Sequence, residues 1–241
     1  MLKKIAFALV LITSTFYVFA DEEAEEYLQK SQAAYGGVEA YKAIKTLKFE
    51  VTKDIMGNDI KFKYYYMKPD KYRLESTVKD TTLYRIIDGD SAYLKYLDTV
   101  YIIPADQVKD YIEEIHSKIA YVLPDIMDYK KDTSEYEYIG MEKLGTNPYH
   151  KIRCTDKDGN IQSFYFDKKD FFFSKLTIKQ DGHVLDVIFS KEKKFGNITF
   201  PRKIEYQGDG STYMTIEYDN IEVDSEVDPK LFAKPEGIEK R

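Results

Sequence analysis

Cysteine is nearly missing from this 241-residue chain and tryptophan is missing altogether. With Cys154 the sole cysteine, no disulfide can form within the chain, so stability must come from burial. A chain that is 43% hydrophobic and 15% aromatic has the material for that. Histidine is also scarce. His116, His150 and His183 are scattered, and H-x-x-x-H, C-x-x-C and H-E-x-x-H spacings are all lacking, so neither a metal site nor a cofactor is expected. There is no G-x-S-x-G elbow and no glycine loop of the kind that cradles phosphate. Cys154, in the strand-like stretch KIRCTD, reads as a small buried hydrophobe rather than a reactive thiol. An enzyme is therefore not expected.

An excess of basic residues is lacking too: 36 lysines and arginines stand against 42 aspartates and glutamates. Long apolar runs are limited to one. Met1-Leu2-Lys3-Lys4 is a short basic start, Ile5 to Ile12 is apolar, and Val18-Phe19-Ala20 precedes Asp21 as a signal peptidase site would require. The run is too short to span ~30 Å of hydrocarbon comfortably, so residues 1–20 are expected to be a cleaved export signal. Loss of Lys3 and Lys4 takes the formal charge from −6 to −8. An acidic exported chain disfavours nucleic acid or anionic headgroups as the main partner. Residues 21–241 contain no low-complexity linker, and one domain is expected over that range.

What is present is a grammar of short strands and tight turns. Asp21-Glu22-Glu23 can cap a helix whose Ala24, Tyr27, Leu28, Ser31, Ala34 and Tyr35 recur at helical spacing until Gly36-Gly37. A short helical turn, 38–44, follows. Ile60, Phe62, Tyr64 and Tyr66 then alternate with Asp59, Lys61, Lys63 and Tyr65, and Tyr72 and Leu74 alternate with Lys71, Arg73 and Glu75. Strands follow over 83–87, 92–97 and 100–103, and several of these are apolar on both faces, which requires cover on both sides. Pro104-Ala105-Asp106 ends this run. Val108, Ile112, Ile115, Ile119 and Val122 then fall at helical spacing up to Pro124. Strands are expected again at 135–143, 149–155, 161–166, 171–180, 184–191, 198–206 and 213–221, with 125–134 crossing between two halves of one sheet. Asp156 to Asn160 has a glycine too early for a calcium loop, and reads as a turn. The polar tail from Asp224 has Leu231-Phe232 as its apolar anchor.

The fold class is thus mainly β with α, a single curved antiparallel sheet with a helix across it. Its 22 tyrosines and 14 phenylalanines go largely to core and sheet surface. A curved sheet under a helix also has a concave apolar face, where small ligands bind, and an acyl chain suits such a groove.

Four stretches resemble the LolA/LolB-like group of bacterial envelope proteins: Tyr35-Gly36-Gly37; Tyr66-Met67-Lys68-Pro69-Asp70-Lys71-Tyr72-Arg73; Ile87-Asp88-Gly89-Asp90-Ser91-Ala92-Tyr93; and Val227-Asp228-Pro229-Lys230-Leu231-Phe232. The resemblance implies an incomplete, half-open antiparallel barrel with helices as a lid over its concave face, and a periplasmic carrier that shelters lipoprotein acyl chains. It would place Val108, Ile112, Ile115 and Ile119 in the lid and Phe62, Tyr64, Tyr66, Tyr72 and Leu74 in the wall as ligand-binding residues. Lys68 stands where the lipoprotein carrier has an arginine that holds the lid closed, and lysine lacks the planar fork for several bonds. Alternation leaves open which sheet face points inward, because a one-residue slip inverts it. The expected partners are acyl chains of a lipid or lipoprotein, with envelope membrane proteins as further candidates, and a monomer. The alternative is a non-catalytic sensor or assembly module that docks another envelope protein, since the same fold serves both.

Overall fold

A computed structural model of the chain describes residues 21–112, 133–156, 158–180 and 182–240. The expected signal at 1–20, residues 125–132 of the crossing expected over 125–134, and His116 lie outside the described residues, as do Ile115, Ile119 and Val122, while 133–134 already belong to a strand. Asp21 opens the described chain as a helix cap, its Oδ1 accepting from the amides of Glu23 (3.0 Å) and Ala24 (3.4 Å). Helix α1 (Glu22–Ala34) buries Ala24, Leu28 and Ser31, the stripe that the helical period predicted. Helix α2 (Val38–Ala43) follows after Gly36-Gly37.

The six strands of the first half are β1 (Thr46–Ile55), β2 (Asn58–Met67), β3 (Lys71–Val78), β4 (Thr81–Asp88), β5 (Ser91–Tyr96) and β6 (Thr99–Ile103). They form consecutive hairpins. A 3-10 turn, Ala105–Gln107, leads into a helical stretch described over 108–112. The second half holds β7 (Thr133–Leu144), β8 (Asn147–Asp156), β9 (Ile161–Asp167), β10 (Phe173–Gln180), β11 (His183–Ser190), β14 (Lys203–Gly208) and β15 (Ser211–Val223). A side hairpin of β12 (Lys193–Phe195) and β13 (Ile198–Phe200) stands apart from them. The final strand is β16 (Ile238–Lys240).

The strand expected over 198–206 is therefore two. Pro201 has no amide to donate to a ladder, and the chain leaves the small hairpin there to join the main sheet at Lys203. The strand expected from Phe171 begins at Phe173, because Phe171 adopts φ 62° and closes the preceding turn.

All other strands belong to one sheet, ordered β16-β6-β5-β4-β3-β2-β1-β15-β14-β11-β10-β9-β8-β7. The two halves meet where β1 pairs with β15. The sheet curves without closing into a barrel, with β16 and β7 as its edges.

Burial falls on both faces of the first half. Ile87 and Ala92 join the main core, while Ile86 and Val100 are buried on the opposite face of the same strands. The tail covers that second face. A 3-10 turn, Pro229–Phe232, is capped by Asp228 and buries Phe232 against β3 and β4. Arg73 Nη1 donates to the Leu231 carbonyl at 2.9 Å, and Ile238 N donates to Asp98 O at 2.7 Å, starting the parallel pairing of β16 with β6. This explains why strands that are apolar on both sides are stable near an edge of the sheet.

Candidate functional site

The concave face is set by register. Phe62 lies opposite Val51, Tyr64 opposite both Phe49 and Leu74, and Tyr66 opposite both Leu47 and Tyr72. These side chains share one face, and it is the face that joins the main core. Phe49 and Tyr64 pack with ring centroids 4.8 Å apart, and Tyr66 and Tyr72 at 5.2 Å. Burial pushes the Tyr64 phenol well above its ordinary value.

The predicted wall is not uniformly open. Phe62, Tyr64 and Leu74 are 8%, 5% and 0% exposed, so they form a filled floor rather than a free groove. Tyr66 and Tyr72 are half-buried at the end of the sheet marked by the turns at 68–70 and 89–90. Val108 is buried and Ile112 is half-buried, and both pack into the same core, which places the start of the 108 helix over the concave face. Lys68 does not reach that helix among the described contacts. Its Nζ donates to the Lys42 carbonyl at 2.5 Å and its amide donates to Lys45 O at 2.8 Å, so it ties the β2–β3 turn to the C-terminal end of α2. A cation there also faces the negative end of a helix dipole.

Helix α1 sits over the second half, and α2 lies between the β2–β3 turn and the β12–β13 hairpin. Asp21, already the cap of α1, also accepts from Tyr138 N through Oδ2 at 2.7 Å, fastening the helix to edge strand β7. Tyr27 of α1 stacks on His150 at 4.1 Å and packs on Tyr138 at 4.7 Å, while His150 Nδ1 is 2.9 Å from the Tyr138 hydroxyl. Burial holds the His150 imidazole below its ordinary pKa, with Lys30 and Lys168 adding to the effect. Burial and the contact with Tyr27 raise Tyr138 to about 12. Tyr41 donates to the Thr199 carbonyl at 2.6 Å, and Thr199 N donates to Tyr35 O at 2.9 Å, so the β12–β13 hairpin clasps the joint between the helices. At that joint Gly36 has φ 110°, and a Cβ on it would lie 2.2 Å from Asn197 O. Only glycine fits.

An open apolar depression of about 470 Å³ lies at the opposite end of the sheet, lined by Ile178, His183, Val184, Leu185, Gly208, Asp209 and Tyr213. Ile178 and Leu185 are directly paired across β10 and β11, Leu185 faces Gly208 on β14, and all three of Ile178, Leu185 and Tyr213 pack on the main core. The depression is thus the mouth of the concave face between the β10–β11 and β14–β15 hairpins. Its volume lies within the range of small-molecule sites. Apart from His183, none of these residues stands out in the sequence as a binding candidate. Alternation through Leu176, Ile178, Leu185 and Val187 marks an apolar face, but only the register brings Leu185 opposite Gly208, beside which the Tyr213 ring packs to form the rim of the depression.

Other features have structural roles. Cys154 is buried on the concave face with its thiol pushed far up by burial. Asp156 accepts from Asp158 N, Asn160 N and Asn160 Nδ2 at 2.7–2.9 Å, which makes 156–160 a turn. Among the described residues no group of three His, Cys, Asp or Glu is placed to hold a metal ion.

These features define an open antiparallel sheet with helices across its hollow, and solved structures share it. No family model matches the sequence, and no curated protein matches it either. A LolA superfamily protein from Nitrosomonas europaea superposes with a TM-score of 0.50 at 10% identity, over 88% of this chain and 97% of that one. A DUF1329 family protein from Desulfovibrio piger gives 0.52 at 12% identity, over 87% and 97%. A Vibrio parahaemolyticus domain named for outer membrane lipoprotein sorting gives 0.51 at 13% identity, over 88% and 96%. The chain has a LolA-like fold.

Proposed function

We propose that the protein is a non-catalytic carrier, exported to a bacterial cell envelope, that shelters acyl chains of a lipid or lipoprotein on its concave face. The observation that carries this reading is the open apolar mouth formed by Ile178, Leu185 and Tyr213, continuous with the main core. A LolA-like fold and the name of the Vibrio neighbour support the same class of ligand. Burial of ~12 methylenes at roughly 0.8 kcal/mol each offers about 10 kcal/mol before the costs of association, ample to hold a chain out of water. The half-buried Tyr66, Tyr72 and Ile112 form the other end of the face, while Phe62, Tyr64 and Leu74 support it from within.

The reading as a docking module gains less from the geometry. The long edge strand β7 is the natural place for strand addition, yet it carries a bulge at Tyr138/Gly140 and is bonded by Asp21, two devices that blunt an edge. Solvent extraction of the purified protein followed by mass spectrometry, with titration of a fluorescent fatty acid, tests the carrier. Saturable binding at one site is expected, and failure of both measurements would end the proposal.

A further inference from the structure

The sheet has two ends, and its exposed apolar side chains are not shared between them. Pairing of β1 with β2, β3 with β4, β5 with β6, β8 with β9, β10 with β11 and β14 with β15 puts six reversals at one end: 56–57, 79–80, 97–98, the one that includes 158–160, the one that includes Gly182, and 209–210. In sheet order these tips follow one another without interruption. Eight of the eleven large hydrophobics exposed among the described residues stand on or beside them. Leu97 (62%) and Tyr96 project at one tip, with Ile238 (67%) beside them through its pairing with Thr99. Val78 stands at the next tip and Met56 (78%) with Ile55 at the third. Val184 and Ile161 continue the series across the second half. The opposite end has turns at 68–70, 89–90, 145–146 and 168–171, and among the described residues two large hydrophobics are exposed toward it, Met141, three residues short of β7's end, and Tyr101, two residues short of β6's end.

Two of these residues hold strained backbone. Met56 has φ 52° and Leu97 has φ 53°, the left-handed region where glycine, asparagine and aspartate are cheap and bulky side chains are not. Nothing in the turns requires methionine or leucine. The same rim surrounds the apolar mouth, which opens between the tips at Gly182 and at 209–210.

We propose that this rim of hairpin tips is a docking surface for the interface of an electrically neutral lipid bilayer, which it meets with the mouth of the concave face turned toward the lipid. The inference rests on the carrier reading above and deepens it. Neighbouring hairpins stand about 10 Å apart, two strand spacings, so each tip presents one or two apolar side chains with polar turn backbone between them. That is no continuous groove for a folded partner, whereas a bilayer interface admits separate apolar residues into its acyl boundary. The charge argues for neutral lipid. Among their described residues the six turns hold Asp80, Asp98, Asp158 and Asp209 against Lys79, and an anionic leaflet would repel them.

The test compares wild type with the double variant Met56→Asp/Leu97→Asp and with Met141→Asp from the other end. Aspartate tolerates positive φ, so the double variant is expected to fold with an unchanged or higher Tm. Flotation with phosphatidylcholine vesicles should recover wild type and Met141→Asp alike, and at least ten-fold less of the double variant. Vesicles containing phosphatidylglycerol should recover less wild type at low salt. Fatty acid titration without vesicles should give the same affinity for all three proteins. Wild type that binds fatty acid but does not float overturns the docking surface and leaves the carrier standing, whereas wild type that floats but binds no fatty acid overturns the carrier alone. Equal flotation of the double variant, tighter binding to anionic vesicles, or a wild-type dimer that the double variant breaks without vesicle binding also overturns the docking proposal.

Discussion

Leu185→Asp is the most direct perturbation of the proposed ligand site. Leu185 is half-buried, faces Ile178 on β10 and Gly208 on β14, and lines the mouth without belonging to the fully buried core. An acyl chain crossing this position would lose contact along roughly three methylenes, about 2 kcal/mol at ~0.8 kcal/mol each. The chain would also force a carboxylate to shed water, a further cost of about 1 kcal/mol or more. The sum is about 3 kcal/mol, or roughly a hundred-fold in Kd. Titration of a fluorescent fatty acid into each protein reads this directly. Leu185 sits two residues from the start of its strand beside an open hairpin, so thermal unfolding should show that the variant still folds. The parallel variant Ile112→Asp, at the other end of the concave face, separates one continuous groove from a local pocket. Losses at both positions mean that the chain runs the length of the hollow, and loss at Leu185 alone confines it to the mouth. A folded Leu185→Asp protein with wild-type affinity would refute the placement of the site.

Three further outcomes follow from the fold. Phe232→Ala should lower stability by about 3–4 kcal/mol in urea unfolding, because the ring is fully buried with Ile86 and Val100 beneath the tail, and a loss below ~1 kcal/mol would mean that the tail is not part of the folded unit. Gly36→Ala should cost about 3 kcal/mol or more, since its Cβ would lie 2.2 Å from a backbone oxygen at φ 110°; a wild-type Tm would show that the helix joint is not held by the β12–β13 hairpin. His150 has a folded pKa below its unfolded value near 6.5, so the unfolded chain binds the proton first, and the stabilisation is complete above that pH and fades as pH falls through it. His150→Gln should flatten the pH dependence of Tm between about 7 and 5, and an unchanged slope would assign the acid sensitivity to other groups.

Much of the fold was written in local pattern. Alternation through Phe62, Tyr64 and Tyr66 fixed a strand with one dry face, because successive side chains on a pleated strand point to opposite sides. The helical stripe of α1 and its Asp21 cap were equally legible, since each depends on residues within two turns of one another. The need for cover on both faces of the β4 to β6 strands was legible from apolar content, but that the Leu231-Phe232 tail supplies it was not, since the two lie well over 100 residues apart. Other non-local facts were equally hidden. Pro201 divides a run that looks like one strand, and the side hairpin it releases reaches Tyr35 and Tyr41 from more than 150 residues away.

The candidate site divides the same way. Residue types determined that one face of this sheet would be apolar and that burial, with a single cysteine, would have to hold the chain together. Tertiary structure decided how that face is used. Cross-strand register packed Phe62, Tyr64 and Leu74 into the core, sent Lys68 to the end of α2, and left a depression where Leu185 meets Gly208 and the Tyr213 ring. Pairing of strands far apart in sequence then gathered six separate turns into one rim around that depression. A pattern of period two specifies the face of each strand, but the neighbours across that face are chosen by the pairing of the whole sheet, and the shape of a hollow depends on the neighbours.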